Sequence, residues 1–371
     1  MKKILYLVST LKRCGPTNQL SYIIKYLDKS RYTPIVLTLS EELENDSIKS
    51  HFTDGLGVRV ETLNLSRIAG VFFAKSSLNK FIRENKIDLV HSQGLRADSL
   101  VGSLKIPKVA TLRNYPFYDY PMTYGKIKGN LMAKFHLNSL KKVDEPRVVS
   151  LSTSNMLMEN HKYDICHLQN GTDLDRFLNL DKESLREKLG INVGKRVFIS
   201  VGDLSNRKDP LLIIKAFKKA NLENSKLLFL GDGHLYAECE KEILDFQDIE
   251  LVGKVANVDE YLGASDYFIS ASLAEGLPNT VLEAMACGVP CILSNIPPHR
   301  EIAQFNKSSS LFFEINNINE LVDKIKGIIV EDYEVMSVAS KKIIYDHLSA
   351  EIMSNNYQSI YNVLLMKTMG I

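Results

Sequence analysis

EGLPNTVLEAMACGVP, residues Glu275 to Pro290, reads as the end of a strand, a tight polar turn and a helix. Gly276, Pro278 and Asn279 break the chain, and Thr280 is placed to cap the helix. Val281, Leu282, Ala284, Met285 and Ala286 give that helix its apolar face, and Gly288 with Pro290 ends it. Glu275 stands before the turn and Glu283 within the helix, so both acids lie near amides that lack intrahelical partners and attract anions. A phosphosugar can lay its phosphate on those amides and its hydroxyls on the acids. The same pair also fits a helix cap plus a solvated side chain.

Outward from that element the chain alternates strand and helix. The apolar run Ile4–Val8 reads as a buried strand and is too short for a membrane span. Gly15 and Pro16 then form a turn, with Thr17 or Asn18 as cap of a helix carrying Leu20, Ile23, Ile24 and Leu27. Further strands are expected at 33–39, 58–65, IDLVHSQG, KVATLRN and 148–154, separated by helical segments. Such alternation implies a parallel sheet covered on both faces, with ligands outside the strands' carboxyl ends. Gly15, His91, Gln93, Arg113 and Asn114 all fall at those ends. The aromatic, proline-rich segment from Arg113 reads as a long loop. Residues 126–143 read as a basic amphipathic helix with Ile127, Leu131, Phe135 and Leu140 on one face.

A second alternating series opens with Val197–Val201, a loop through Asp209 and a helix starting at Pro210. Arg207 and Lys208 in that loop are placed for a diphosphate. Asp173-Leu174-Asp175 matches a manganese-binding Asp-x-Asp pattern but sits in a linker-like context, so no metal is assigned to it.

With 371 residues the chain is long enough for two domains, and 45% hydrophobic with 24% charged residues is a globular composition. Five irregularly spaced cysteines make neither a disulfide framework nor a zinc site, which points to a reducing compartment. Cys287 and Cys291 read as small buried fillers. The net charge of +2 hides an asymmetry: residues 1–170 hold 25 Lys+Arg against 15 Asp+Glu, and residues 171–371 hold 21 against 29. The basic half is the one suited to an anionic membrane or a phosphorylated lipid, and no nucleic-acid partner is expected.

Residues 275–290 resemble the signature of the retaining, nucleotide-sugar-dependent glycosyltransferases of family four, also called glycosyl transferases group 1. The resemblance implies a GT-B fold: two Rossmann-like domains, a central cleft and a C-terminal helix crossing back to the first domain. The expected bounds are 1–168 for an acceptor domain, 169–195 for a hinge, 196–345 for a nucleotide-sugar domain and 346–371 for the terminal helix. It implies that Glu275 contacts the donor sugar, Glu283 the ribose, Lys208 the diphosphate and the Gly253-Lys254-Val255 backbone the base. Gly15, Arg207, Gly276, Leu277, Pro278 and Asn279 complete the donor set. His91 matches the first residue of the family's His-x-His stretch, whose imidazole faces the donor sugar, and Gln93 replaces the second; a lone histidine at a strand end also fits a satisfied structural residue. His91, Lys208 and Glu275 are the catalytic candidates. Gln93, Arg113 and Asn114 are the acceptor-side candidates.

Asp203 stands where the family has arginine. The expected reaction moves a sugar from a nucleotide-linked donor, UDP-linked by expectation, to a glycan or polyprenyl-diphosphate-linked acceptor, with retention, in surface polysaccharide synthesis. No cofactor or metal is expected, and the location is cytoplasmic, with peripheral membrane contact. A nucleotide-sugar epimerase and a non-catalytic binding subunit of the same fold are the alternatives.

Overall fold

The computed structural model describes residues 1–42, 46–65, 67–178 and 180–369. They form two compact units, one of Met1–Asn170 with the chain from Ala350 on, the other of Gly171–Ser349. Of the segment 169–195 expected as a hinge, Gln169 and Asn170 belong to the first unit and 171–195 to the second.

The first unit is built on strands β1 (Lys2–Val8), β2 (Tyr32–Thr38), β3 (Arg59–Thr62), β4 (Leu89–Gln93), β5 (Lys108–Leu112) and β6 (Glu145–Val148). All pair in parallel, in the order β3-β2-β1-β4-β5-β6. Its helices are α1 (Gly15–Lys25), α2 (Arg67–Asn85), α3 (Leu95–Val101), α4 (Pro116–Tyr124), α5 (Lys126–Leu140) and α6 (Leu151–His161). The second unit has helices α7 (Lys182–Lys188), α8 (Pro210–Ala220), α9 (Tyr236–Ile243), α10 (Val258–Gly263), α11 (Asn279–Ala286), α12 (Pro297–Ala303), α13 (Ile318–Gly327) and α14 (Tyr333–His347). Its strands are β7 (Arg196–Val201), β8 (Ser225–Leu230), β9 (Ile249–Gly253), β10 (Tyr267–Ser270), β11 (Cys291–Ser294) and β12 (Ser310–Phe313), ordered β12-β11-β10-β7-β8-β9.

Each sheet reverses direction of growth beside its first strand, between β1 and β4 and between β7 and β10. That is the switch point where open α/β sheets leave a crevice for ligands. Helices on both faces require strands that are apolar throughout, and Ile4, Leu5, Tyr6 and Leu7 of β1 are fully buried. Odd and even residues then serve different cores. Ile4, Tyr6 and Val8 pack with α1, while Leu5 and Leu7 pack with Leu78, Ala97 and Leu137.

The last helix, α15 (Ala350–Met369), belongs to the first unit. Met353, Tyr357, Tyr361 and Leu364 are buried against Tyr6, Leu20 and Ile24, with Ile360 at the edge, as expected for a terminal helix that returns to the first domain. Ser354 Oγ donates to Ile23 O at 2.8 Å and Gln358 Oε1 accepts from Asp28 N at 2.9 Å, tying it to α1 and the turn after it.

Three local expectations are corrected. The segment from Tyr115 is helix α4, not loop: Pro116 is at its first position, where no N–H is needed, and only Pro121 costs an internal hydrogen bond. The strand expected at 148–154 ends at Val148, because Ser150 is extended and its Oγ accepts from Thr153 N at 3.2 Å, capping α6. On α5 the inner stripe is Gly129, Ala133, His136, Leu137 and Leu140. Ile127, Leu131 and Phe135 face solvent, 83%, 64% and 56% exposed. Cys291 is buried as expected, whereas Cys287 is half-buried.

Candidate functional site

In the second unit, β7 ends in the loop 202–209. Gly202 (φ +148) lies under Lys208, whose Cε would sit 3.1 Å from a Cβ placed there. Asp209 adopts a left-handed conformation and its Oδ1 accepts from Leu212 N at 3.3 Å, starting α8 at Pro210. The glycine turn after β8 presses on the same loop, since a Cβ on Gly231 would lie 1.9 Å from Gly202 O. Gly231 N in turn donates to Gly253 O at 2.8 Å. Glycines thus let the ends of β7, β8 and β9 meet backbone to backbone, and bring Gly253 beside the loop. Lys254 is exposed and Val255 half-buried at this edge.

Across the switch point, the β10–α11 segment supplies Glu275. Lys208 Nζ is 2.7 Å from Glu275 Oε1 and Arg207 Nη1 is 2.9 Å from Glu275 Oε2. Arg207 Nη1 also donates to Ala274 O at 3.0 Å, and Leu273 N donates to Arg207 O at 2.8 Å. Burial alone would raise the Glu275 carboxyl, but the charges of Lys208 and then Arg207 outweigh it and hold it at about 2. The two cations expected to stand ready for a diphosphate therefore both close on Glu275. Arg207 does not compensate Asp203, which is exposed at the rim of the loop.

Glu283 carries the opposite shift. Burial pushes it up to about 7, Arg176 4.0 Å away lowers it in part, and Asp259 adds to the rise. Arg176 is drawn off toward Asp259 at 3.4 Å. The second unit thus holds one acid ionised and one titrating near neutrality. Helix α11 starts at Asn279 with Pro278 as its N-cap and no side-chain cap, so Thr280 lies inside the helix and not at its cap. Gly276, Leu277 and Pro278 are buried in the turn before it. Asp173 is buried and Asp175 exposed, so the Asp-x-Asp carboxylates are divided between interior and solvent. His299 is fully buried; its Nδ1 is 2.9 Å from Ser294 O, its Nε2 has no partner, and burial brings its pKa down to about 4.

In the first unit His91 is not where the family stretch would have it. It is fully buried, with Nδ1 2.6 Å from Tyr361 OH and Nε2 2.7 Å from Thr111 Oγ1. Its ring packs beside Tyr357 and Tyr6, centroids 4.8 and 5.6 Å apart. Burial first, then Arg113, brings its pKa down to about 3, so it is a neutral core histidine under α15. The candidate catalytic role of His91 is corrected on that ground: no ring nitrogen is left for a substrate.

Gln93, one pleat further along β4, reaches the rim. It lines a cavity of about 310 Å³ with the end of β1 (Val8 to Thr10), the start of α1 (Cys14, Pro16, Thr17) and Arg113 and Asn114 beyond β5. Arg113 Nη2 donates to Gln93 Oε1 at 2.7 Å and Nη1 to Asn170 Oδ1 at 2.8 Å. Gly15 opens α1 at this wall, where Cys14 is the N-cap in place of the expected Thr17 or Asn18.

Residues that the sequence did not single out complete the cavity. Tyr120 OH lies 2.7 Å from His136 Nδ1, and His136 Nε2 is 2.8 Å from Asp98 Oδ2. Ser92 Oγ donates to Asp98 Oδ1 at 2.6 Å. Tyr120 and His136 line the cavity, and Asp98 is fully buried behind them. The three come from α4, α5 and α3, so no local motif announces them.

Comparison with known proteins gives two family matches: Glycosyltransferase Family 4 over residues 15–176 and Glycosyl transferases group 1 over residues 181–342. The Escherichia coli O-antigen biosynthesis glycosyltransferase WclY is 24% identical over 99% of this chain and 100% of its own. The E. coli UDP-Gal:alpha-D-GlcNAc-diphosphoundecaprenol alpha-1,3-galactosyltransferase is 32% identical over 47% of each chain. Among solved structures, Anabaena HepE in complex with UDP superposes with a TM-score of 0.81 at 16% identity, covering 98% of this chain and 100% of that one. That likeness establishes the GT-B fold.

Proposed function

The chain belongs to the glycosyl transferases of group 1 and is a glycosyltransferase, and from that premise we propose that it transfers a sugar from UDP to a lipid-linked or glycan acceptor during surface polysaccharide synthesis. The observation that carries the donor half is the closure of Lys208 and Arg207 on Glu275 beside the uncapped start of α11. The reaction breaks the anomeric carbon–phosphate oxygen bond and forms one to the oxygen of an acceptor hydroxyl, whose proton passes to the departing diphosphate. Its main demand is stabilising the charge that develops on the leaving diphosphate. Lys208 and the backbone N–H groups at the start of α11 meet that demand without a metal, while Glu275, ionised and held in place by two cations, accepts hydrogen bonds from the donor sugar. Glu283 reads the ribose hydroxyls, and the backbone of Gly253 to Val255 the base. The anomeric configuration is retained.

The first unit takes the acceptor on Gln93, Arg113 and Asn114. The solvent-facing Ile127, Leu131 and Phe135, flanked by Lys126, Lys128 and Lys134, support peripheral contact with an anionic membrane from the cytoplasmic side. Among the described residues no helix is long and apolar enough to cross a membrane.

A panel of nucleotide sugars in thermal unfolding tests this reading, because a ligand selective for the native state raises the melting point. UDP-sugars are expected to raise it, and turnover is expected to require an acceptor. No shift with UDP, GDP or ADP sugars, or consumption of donor without transfer, overturns it.

A further inference from the structure

The cavity of the first unit holds donors with nothing to donate to. Gln93 is 7% exposed; its Oε1 is taken by Arg113 and its Nε2 is buried without a partner. Arg113 Nε is likewise buried and unpartnered, and the guanidinium's two hydrogen bonds go to neutral amide oxygens, those of Gln93 and Asn170. Among the described residues no carboxylate pairs with Arg113. Asp98, a buried acid whose charge acts on Arg113 without a direct ion pair, spends its oxygens on Ser92 and His136. A guanidinium taken from water without a counter-charge is costly, and a donor left unmade in the interior adds to that cost. The first turn of α1, on the same wall, has no side-chain cap and adds the positive end of its dipole.

We propose that this cavity takes an oxyanion carried by the acceptor, phosphate or carboxylate, on Arg113 and the Gln93 amide. Resting on the transferase reading, it makes the acceptor itself acidic. Two sources share this chemistry: the phosphate of a lipid carrier's headgroup, and the carboxylate of an acidic sugar.

The test is calorimetry on the full chain with UDP saturating, so that nucleotide-site phosphate binding is blocked. Methyl phosphate, glucuronic acid and glucose are titrated in turn. One or both anions are expected to bind and glucose is not; tighter methyl phosphate identifies a carrier headgroup, tighter glucuronate an acidic glycan. Arg113→Gln is expected to weaken the anion at least tenfold. Gln93→Glu keeps the bond to Arg113, gives it an internal counter-charge and is expected to do the same with an unchanged or higher melting point. In both variants UDP affinity stays within twofold. Anion binding that is absent, matched by glucose or indifferent to both substitutions overturns the proposal. Failure of UDP itself to bind overturns the donor assignment instead, and the anions are then titrated alone.

Discussion

Lys208 is the residue on which the donor chemistry turns. Removing one preorganised donor to a developing anion typically costs about 2.7–4 kcal/mol, so Lys208→Ala is expected to lower turnover roughly 100- to 1,000-fold. Steady-state rates beside a melting curve check it, and near-normal turnover in folded protein rejects the assignment. Glu283 gives a pH prediction. Its carboxyl, at about 7 in the fold against 4.5 in an open chain, favours the protonated native state. That contribution is fully present below 4.5 and is lost as pH rises through 7. Glu283→Gln is therefore expected to match the wild type in melting temperature at pH 4.5 and exceed it at pH 8.5, while binding nucleotide more weakly.

His91 is the residue whose neighbours in sequence say least about its place. Period-two alternation puts it on the same face as Gln93, but sequence alone does not say that Tyr357 and Tyr361, over 260 residues away, cover one and leave the other at the rim. His91→Leu takes one hydrogen bond each from Tyr361 OH and Thr111 Oγ1, which keep Tyr6 OH and Tyr357 OH as partners, at about 0.5–1.5 kcal/mol each. At about 2–4 °C per kcal/mol in a unit of this size, the melting temperature is expected to fall by roughly 2–12 °C. Turnover of the folded fraction stays unchanged, and a collapse of turnover at an unchanged melting temperature returns His91 to the chemistry.

Among elements, the α4–α5 hairpin departs furthest from its sequence. Two prolines among aromatics read as breakers, yet Pro116 occupies the one helical position that favours proline. Gly129 is what lets α5 close on α4: a Cβ there would lie 2.4 Å from Pro121 N and 2.5 Å from the Tyr120 carbonyl carbon, both backbone atoms. Gly129→Ala is expected to cost about 1–3 kcal/mol by overpacking and to shift Tyr120 against His136. Kinetics should then show a raised acceptor KM with donor affinity intact by calorimetry; a donor defect of equal size contradicts the separation. The strand–loop–helix elements at 197–220 and 275–290 are legible because Gly202, Pro210 and the 276–279 turn each have a local cause. The Asp98, His136 and Tyr120 chain is not, since three helices must pack before it exists.

For the whole molecule, two parallel sheets are legible from alternation alone, and the ends of both are where the site residues gather. The charge asymmetry does not identify which cations are engaged: in the acidic half Lys208 and Arg207 are held by one buried glutamate, and in the basic half Arg113 makes no direct ion pair among the described residues. The first unit is discontinuous in sequence, and its core requires α15. Truncation after Ser349 is expected to abolish the cooperative unfolding of the first unit and expose it to limited proteolysis, while residues 171–349 keep their protected fragment. A truncated chain as resistant as the full one counts against that dependence.

This discontinuity also sets a timetable during synthesis. A ribosome making roughly 5–20 residues each second needs roughly 10–40 s to travel from the end of β6 to the C-terminal tyrosines. Throughout that interval the nascent amino-terminal sheet presents Tyr6, His91 and Ile24 to water with their lid not yet translated. The polypeptide must stay soluble on the second unit and its charged surface until Ala350 to Met369 clear the exit tunnel and seal the older half.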